Sequence, residues 1–233
     1  MHQPVVTKGI VLARTDYGEA DRIITFITPD HGKLKAIAKG VRRAKSKLAG
    51  GIELFSVSDL TYIVGRGEIQ TLISTRLESH FGNIVKDLHR TTKAYEILKF
   101  INKATEEAAE AGYYNLLKHA LESLNNPEID TDIIALWFNL QLLKLMGHAP
   151  DLHTDINGQK LSPGTDYNFY FDEMKFGKSP DGSGLAPKFI KFLRLGLQAR
   201  APQVLGRVEG AEELAVKTQP LAASMLKSYV QVH

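Results

Sequence analysis

The sequence predicts an α+β protein in which a small five-stranded β-barrel precedes a mostly helical domain. Apolar residues in the first eighty positions recur with the period of two that is typical of strands, and turn residues separate the runs. Beyond about residue 82 the period changes to 3.6, which indicates helices. Residues 1–80 carry a net charge of +4 and residues 81–233 a net charge of −1. We therefore expect two domains, 1–81 and 82–233, with a basic surface on the first.

Five runs in the first eighty residues are predicted as strands: Val5–Arg14, Ile23–Thr28, Lys33–Gly40, Glu53–Val64 and Glu68–Leu77. Proline fixes φ and glycine adopts positive φ, so Pro29-Asp30-His31-Gly32 should form a hairpin turn between the second and third strands. Gly65-Arg66-Gly67 should join the last two strands in the same way. Five strands in this length, with a short connecting segment near 45–51, favour a closed barrel of the OB type.

Alternation within a strand predicts which side chains are buried. In the last strand it predicts a buried face, which comprises Ile69, Thr71, Ile73, Thr75 and Leu77. Among the aromatic residues of the barrel, Phe26 and Tyr62 are assigned to the core by the same rule. Tyr17 and Phe55 remain as candidates for stacking against nucleic-acid bases.

The region after residue 82 is predicted to begin with two amphipathic surface helices. Their apolar faces comprise Ala94, Ile97, Leu98, Ile101, Thr105 and Ala108 in the first, and Leu116, Leu117, Ala120, Leu121 and Leu124 in the second. A third helix, capped by Asp130 or Thr131, has almost no polar face between residues 133 and 143, so we expect it at the centre of the domain. Gly147 and Pro150 should end it.

Residues 148–184 form a turn-rich insert with one strand-like piece, Tyr167–Phe171. Helical spacing returns in the run that contains Leu185, Phe189, Phe192 and Leu193. A final helix is predicted to begin near Pro220, because proline is tolerated in the first turn of a helix, and to carry Leu221, Met225, Leu226 and Tyr229.

Composition excludes several classes of function. The chain has no cysteine, which excludes disulfides, thiol catalysis and cysteine-zinc clusters. The hydrophobic fraction of 43% and the charged fraction of 24% are ordinary for a soluble globular protein. No apolar run approaches the roughly 18 residues of a membrane span, and the N-terminus lacks the apolar core of a signal peptide. We therefore expect a cytoplasmic protein.

The most informative stretch is the basic segment, Lys33 to Lys47, which holds seven positive charges and no acidic residue. Alternation places Lys33, Lys35 and Lys39 on one face of the third strand and apolar side chains on the other. Such a surface suits the backbone of a nucleic acid. A solvated loop that only aids solubility is the alternative, and charge alone leaves both readings open.

Other polar clusters have weaker support. His148 and His153 lie near Asp151 and Asp155, but their spacing matches no known ligand pattern, so no metal site is predicted. Asp16, Glu19 and Asp21 are close to Arg22, yet they fall in an exposed turn rather than in a cleft that would shift their pKa values. We therefore predict no catalytic residue, no cofactor and no enzymatic activity.

The string KGIVLARTDYGEADRIITFITPDHGKLKAIAKGVRRAKSKLAGGIELFS resembles the RecO family of bacterial recombination mediators. The resemblance covers the Tyr17-Gly18-Glu19 turn with Asp21-Arg22, the His31-Gly32 hairpin and the Lys39-Gly40-x-Arg42-Arg43 exit. Further along, Leu143-x-x-Met146-Gly147-His148-Ala149-Pro150 is similar to the end of the family's helix before its zinc module. The resemblance implies an OB-fold domain over residues 5–80.

The resemblance also implies a function. Members of the family bind single- and double-stranded DNA, anneal complementary strands, and work with RecR to load RecA on DNA coated by single-strand-binding protein. A contact between the helical domain and the acidic tail of single-strand-binding protein is implied as well. Carried over by position, the DNA-binding residues are Lys33, Lys35, Lys39, Arg42, Arg43, Lys45 and Lys47, with Arg14 and Arg22 as additions.

The sequence departs from the family at the zinc module, where many members carry four cysteines. Thr154 and Asn157 stand where the first pair would be. We therefore expect an insert without zinc that is held by turn hydrogen bonds and by packing of Tyr167, Phe169, Phe171 and Leu161.

Three alternatives to the mediator remain open. An OB-fold module for RNA would share the barrel but prefer structured RNA. A scaffolding protein would bind a protein partner through its helices and use the basic segment only for solubility. A hydrolase would use the cluster around Asp16 and Asp21.

Overall fold

The five strands that the sequence predicts form a closed barrel in the computed structural model of the chain, which describes residues 3–105 and 111–230. Neighbouring strands pair in the order β1-β2-β3-β5-β4, and the barrel closes through pairing of β4 with β1. The strands are β1 (Pro4–Tyr17), β2 (Asp21–Thr28), β3 (Gly32–Ala38), β4 (Ser56–Ile63) and β5 (Ile69–His80). The predicted fold class and both predicted hairpins are confirmed.

Strand β1 closes the barrel because it pairs with two different strands along its length. Its first half pairs with β4, from Pro4 to Ile10, and its second half pairs with β2, from Ile10 to Tyr17. A register shift between Val11 and Ala13 lies at the changeover. An extra residue at such a point bends a strand and increases its twist, which lets one long strand pass from one neighbour to the next.

The turn between β2 and β3 is closed by one side chain and one glycine. The Thr28 hydroxyl donates to the Gly32 carbonyl at 2.9 Å and accepts from the His31 N–H at 3.0 Å. Gly32 has a φ of 62°, a region where a side chain would be strained. Alternation then carries Leu34, Ala36 and Ala38 into the barrel core, as predicted.

The buried face predicted for β5 is wrong. Ile69, Ile73 and Leu77 are between 43% and 47% exposed, whereas Leu72 is buried. The register shifts between Thr61 and Tyr62 on the paired strand β4, so β5 carries an extra residue at Ile73. A bulge of this kind breaks strict alternation, and no feature of the sequence alone marks its position.

Two helices, α1 (Leu88–Ala104) and α2 (Ala111–Asn125), follow the barrel. Their predicted apolar faces are buried, apart from Ala108, which lies outside the described residues. Asp87 caps α1 by accepting the Arg90 N–H at 2.9 Å. The buried Arg90 guanidinium donates to the carbonyls of Leu124 and Asn126, both at 2.9 Å, and so satisfies the end of α2.

The central helix α3 (Thr131–Leu145) is confirmed as the most buried element, with ten buried residues. Asp130 is the N-cap and accepts the N–H groups of Asp132 and Ile133. At the other end Gly147 has a φ of 80°, and the His148 N–H donates back to the Leu143 carbonyl at 2.8 Å. Helix α3 therefore ends at a glycine in the left-handed conformation, as predicted.

Three further helices follow: α4 (Pro187–Gln198) and α6 (Ala211–Tyr229), which pack on α3, and the short α5 (Gln203–Gly206), which contacts α4 and α6. The prediction for the last helix is wrong about its start, because α6 begins nine residues before Pro220. Proline removes a hydrogen bond to the carbonyl four residues earlier, here that of Val216. Pro220 and Val216 both lie on an exposed face of α6, where water can replace the missing donor.

The insert contains more regular structure than its turn-rich sequence predicts. It forms a three-stranded sheet in the order β6-β8-β7, with β6 at Asp151–Asp155, β7 at Tyr167–Tyr170 and β8 at Lys175–Lys178. Of the four residues predicted to hold it, Tyr167 is buried, Leu161 and Phe169 are half-buried, and Phe171 is 40% exposed. Phe176, which the sequence analysis missed, is fully buried and contacts the Phe169 ring at a centroid distance of 5.0 Å.

Carboxylates close the turns of the insert. Asp155 is 1% exposed and accepts the N–H groups of Asn157 at 2.9 Å and Gln159 at 2.8 Å. Asp151 accepts the His153 N–H and the Thr154 hydroxyl. Asp151 is partly desolvated, but the hydrogen bonds from Thr154 and His153 outweigh that effect and lower its pKa to about 2.

The residues in the insert do not fit a structural zinc ion. Such an ion requires thiolate or imidazole ligands, and the two positions that would supply the first pair hold Thr154 and Asn157. Thr154 already donates its hydroxyl to Asp151, and the Asn157 backbone is bound to Asp155. We therefore derive no role for zinc in this chain.

The described residues fall into two compact units, one ending at Asn126 and the other beginning at Pro127. The first unit contains the barrel with α1 and α2, and the second contains α3 to α6 with the insert. The predicted domains, 1–81 and 82–233, follow the change from strands to helices instead and stay a prediction. In the described part of the chain, no helix combines the length and the hydrophobicity that crossing a bilayer requires.

Replacing Asp155 by alanine should destabilise the second unit by about 2–3 kcal/mol, because the N–H groups of Asn157 and Gln159 lose their charged and buried acceptor. Urea unfolding followed by the fluorescence of Trp137, the single tryptophan of the chain, measures this unit specifically. Glu173→Ala is the matched control, since Glu173 is exposed and should leave the midpoint unchanged. Equal midpoints for the two variants would contradict the role given to Asp155.

Candidate nucleic-acid interface

The basic segment divides into two parts with different backbones. Lys33 and Lys35 lie on β3, whereas Lys39 to Lys47, here called the cationic loop, follow that strand as a series of turns. Val41 anchors the loop, since its side chain is buried in the barrel core. After the loop, the Leu48 carbonyl accepts the Thr75 hydroxyl of β5 at 3.1 Å. The loop is thus tied to the barrel at Val41 and just beyond its end.

The turn between β1 and β2 holds the start of the cationic loop. The Asp21 carboxylate accepts the Gly40 N–H at 2.7 Å, and the Ala20 carbonyl accepts the Arg42 N–H at 2.9 Å. Gly40 has a φ of 65°, which turns the chain away from β3. These contacts fix the backbone of the loop independently of its long side chains.

Lys33 is less available than the sequence predicts. Alternation directs it to the outer face of β3, as expected, but its side chain is half-buried. Its ammonium group donates to the carbonyl of Asn102 in α1 at 2.7 Å. The structure therefore separates Lys33 from Lys35 and Lys39, which are exposed.

Three arginines of the predicted site face carboxylates. Arg14 lies 2.8 Å from the Glu53 carboxylate. Arg22 and Arg42 both approach Asp16, with Nε to oxygen distances of 2.7 Å and 3.6 Å. The hydrogen bond from Arg22, assisted by the charges of Arg42 and Arg14, holds the pKa of Asp16 below its usual range. Asp16 is therefore ionised at neutral pH.

The remaining five cations of the predicted site are exposed: Lys35, Lys39, Arg43, Lys45 and Lys47. Within residues 3–105 and 111–230, none of them forms an ion pair with a carboxylate. Four belong to the cationic loop, and Lys35 lies on β3, the strand that leads into it. This group therefore holds uncompensated positive charge on β3 and on the loop that follows it.

The aromatic candidates for base stacking differ in their placement. Tyr17 is 55% exposed at the end of β1, near the ion pairs of Asp16. Phe55 is 2% exposed and packs edge-on against Tyr95 at a centroid distance of 5.2 Å, so its proposed stacking role is wrong. Phe26 and Tyr62 are confirmed as core residues.

The carboxylates near Asp16 are committed to structure. Asp16 binds two arginines, and Asp21 accepts the Gly40 N–H. A carboxylate that acts as a general acid or base needs an oxygen that is free to exchange a proton with a substrate in a cleft. Asp16 and Asp21 instead bind arginines and the backbone of the cationic loop. Residue types and spacing alone do not predict this positioning role. The signal for this role is the hairpin register, which pairs Asp16 with Arg22 across the Tyr17-Gly18-Glu19 turn.

The two histidines considered as metal ligands, His148 and His153, make other contacts. His148 stacks on Tyr229 at a centroid distance of 3.9 Å, and Asp151 accepts the His153 backbone N–H. Over the described ranges, no group of three or more potential ligand residues could hold a metal ion.

Comparison with known proteins gives a consistent result over both parts of the chain. A family model described as Recombination protein O N terminal matches residues 1–81, and one described as Recombination protein O C terminal matches residues 85–231.

Several curated proteins named DNA repair protein RecO are similar to this chain. The one from Desulfatibacillum aliphaticivorans is 37% identical over 152 residues, which are 64% of this chain and 59% of the relative. The one from Dehalococcoides mccartyi strain 195 is 34% identical over 163 residues, or 69% and 64% of the two chains. The one from Alkaliphilus metalliredigens is 35% identical over 160 residues, or 68% and 65%. The matches thus span about three fifths of these relatives' length.

Replacing Asp21 by alanine should release the Gly40 amide, because a hydrogen bond to a carboxylate contributes about 1.5–3 kcal/mol. Hydrogen exchange at Gly40 should then accelerate by about tenfold to a hundredfold, as measured by two-dimensional NMR. Glu19→Ala, in the same turn, should leave the Gly40 rate unchanged. An unchanged rate in Asp21→Ala would show that the loop is held by its other contacts alone.

Proposed function

The chain belongs to the RecO family of DNA repair proteins, and on that premise we propose that it binds single- and double-stranded DNA through the cationic loop and Lys35. The observation that carries this proposal is the group of five exposed cations without a carboxylate partner among the described residues. Their ammonium and guanidinium groups suit phosphates, which are present in both forms of DNA.

Binding through phosphate groups does not depend on the base sequence of the DNA. Phosphate contacts position a nucleic acid but carry no information about its bases. The exposed cations are on an anchored loop and on a strand, so their spacing is set by the barrel rather than by the ligand. We expect the protein to bind DNA of any sequence with similar affinity.

Annealing follows from the same charges. Two complementary strands repel each other because both carry dense negative charge, and a cationic surface reduces this repulsion by replacing condensed counterions. Two strands held on such a surface can then pair. We propose that the chain promotes annealing in this way, and that it does so without catalytic turnover.

The further roles rest on family membership. We propose that the protein acts with RecR to load RecA on DNA coated by single-strand-binding protein, that it contacts the acidic tail of that protein, and that it works in the cytoplasm at the nucleoid. The family models match both parts of the chain, which supports these roles. The matches to curated relatives support them over about three fifths of the relatives' length.

Salt dependence tests the site directly. If five phosphates are neutralised, the logarithm of the affinity for a single strand should fall with the logarithm of salt concentration at a slope of about −3.5, and for duplex DNA at about −4.5. Fluorescence anisotropy of a labelled oligonucleotide measures both slopes. A slope near zero contradicts the cationic site. Stronger binding to structured RNA would favour an RNA-binding module instead.

Charge reversal localises the site. Replacing Lys39, Arg43 and Lys45 by glutamate should lower the affinity for single and double strands alike by at least about a hundredfold at low salt, because three phosphate contacts are lost. The matched control replaces Lys160, Arg207 and Lys217, which are exposed in the second unit, with glutamate. The control has the same change in net charge. Equal losses in both variants, or none in the first, would favour a scaffolding role.

The annealing proposal has its own assay. Complementary oligonucleotides with a donor and an acceptor dye should pair faster with the protein present, and the triple reversal at Lys39, Arg43 and Lys45 should remove most of the acceleration. Adding single-strand-binding protein tests whether the chain still anneals coated strands. Acceleration that survives the reversal would separate annealing from the cationic loop.

A further inference from the structure

Asp16, Arg22 and Arg42 form a cluster at the β1–β2 hairpin. A surface ion pair needs one cation for each carboxylate, whereas this carboxylate has two. Asp16 on β1 receives one arginine from the neighbouring strand β2 and one from the cationic loop. Each carboxylate oxygen faces a different arginine, since Arg22 approaches Oδ1 and Arg42 approaches Oδ2. Two guanidinium groups thus converge on a single negative charge.

We propose that Asp16 occupies a phosphate site: its carboxylate competes with a DNA phosphate for Arg22 and Arg42, and in the native protein it holds both arginines most of the time. The proposal rests on the function proposed above and adds a regulatory element to the same site. A phosphodiester carries one negative charge and two free oxygens, as a carboxylate does. The two arginines therefore keep a partner of the same charge when the exchange takes place.

The accessibility of the three side chains allows such an exchange. About a third of the Arg22 and Arg42 side chains and about half of the Asp16 side chain are exposed. Ion pairs at this degree of exposure are weak and are screened by salt. Both arginines contact Asp16 through Nε, and within the described ranges their terminal amino groups form no ion pair with another carboxylate. These groups remain as donors for an incoming phosphate.

The backbone of the loop does not depend on Asp16. Gly40 is held by Asp21, the Arg42 N–H donates to Ala20, and Val41 is buried in the core. Loss of the Asp16 charge therefore leaves the Arg42 backbone in place. Asparagine at position 16 also keeps an oxygen that can accept from Arg22. The substitution isolates the effect of the charge.

The consequence is that the native protein binds DNA less tightly than its cations allow. Asp16 competes with phosphate for two arginines, so removal of its charge should add up to two phosphate contacts. The salt slope for single strands should become steeper by about 0.7 to 1.4, and the affinity at about 50 mM salt should rise on the order of tenfold.

The test compares Asp16→Asn with Glu19→Gln, using anisotropy of a labelled thymine oligonucleotide across a range of salt concentrations. Both variants gain one unit of net charge at the β1–β2 hairpin, but Glu19 is exposed and forms no ion pair among the described residues. Asp16→Asn should bind more tightly with a steeper slope, and Glu19→Gln should keep the wild-type slope. Equal slopes in the two variants, or weaker binding by Asp16→Asn, overturn the proposal.

A double-mutant cycle separates competition from a change in folding. Arg42→Gln should reduce the affinity little in the wild-type background and remove much of the gain in the Asp16→Asn background. Equal effects of Arg42→Gln in both backgrounds overturn the proposal even if Asp16→Asn binds more tightly. Wild-type protein with no salt-dependent binding refutes the proposed function and this inference together, whereas wild-type binding with equal variant slopes refutes the inference alone.

Discussion

The attachment of the cationic loop to the β1–β2 hairpin is the constraint on which the candidate site depends. A loop with this many positive charges would repel itself and sample many conformations if it were free. Instead, Asp21 and Ala20 bind the backbone at Gly40 and Arg42, and Val41 is buried in the core. Because the backbone is fixed before any ligand arrives, binding does not have to order it, and the entropy cost of association is correspondingly smaller.

Much of the fold could be predicted because it follows local rules. Turn chemistry fixed the β2–β3 hairpin at Gly32, and the cap residue Asp130 marked the start of α3. The errors arise where tertiary contacts override these rules. The bulge at Ile73 is set by pairing with β4, and Pro220 is tolerated inside α6 because its side of the helix faces solvent. Neither condition can be read from the neighbouring residues in sequence.

The sequence predicted which basic residues belong to the candidate site, but not which of them are paired with other groups of the protein. Charge density identified the basic segment, and resemblance to a family gave it a polyanionic partner. Sequence could not show that the Lys33 ammonium group is bound to the end of α1, or that Arg14 is paired with Glu53 from a distant part of the chain. Pairing of this kind depends on which residues the barrel brings together, whereas net charge depends only on which residues are present.

The carboxylate-closed turns of the insert remove a dependence on cellular chemistry. Thiolate ligands are oxidised by peroxides and must obtain their ion from a limited intracellular pool, whereas aspartate is inert to oxidants and needs no ion. Asp151 and Asp155 accept backbone N–H groups directly and need no further ligand. These turns of the second unit are therefore closed by groups that neither zinc depletion nor exposure to peroxide would alter.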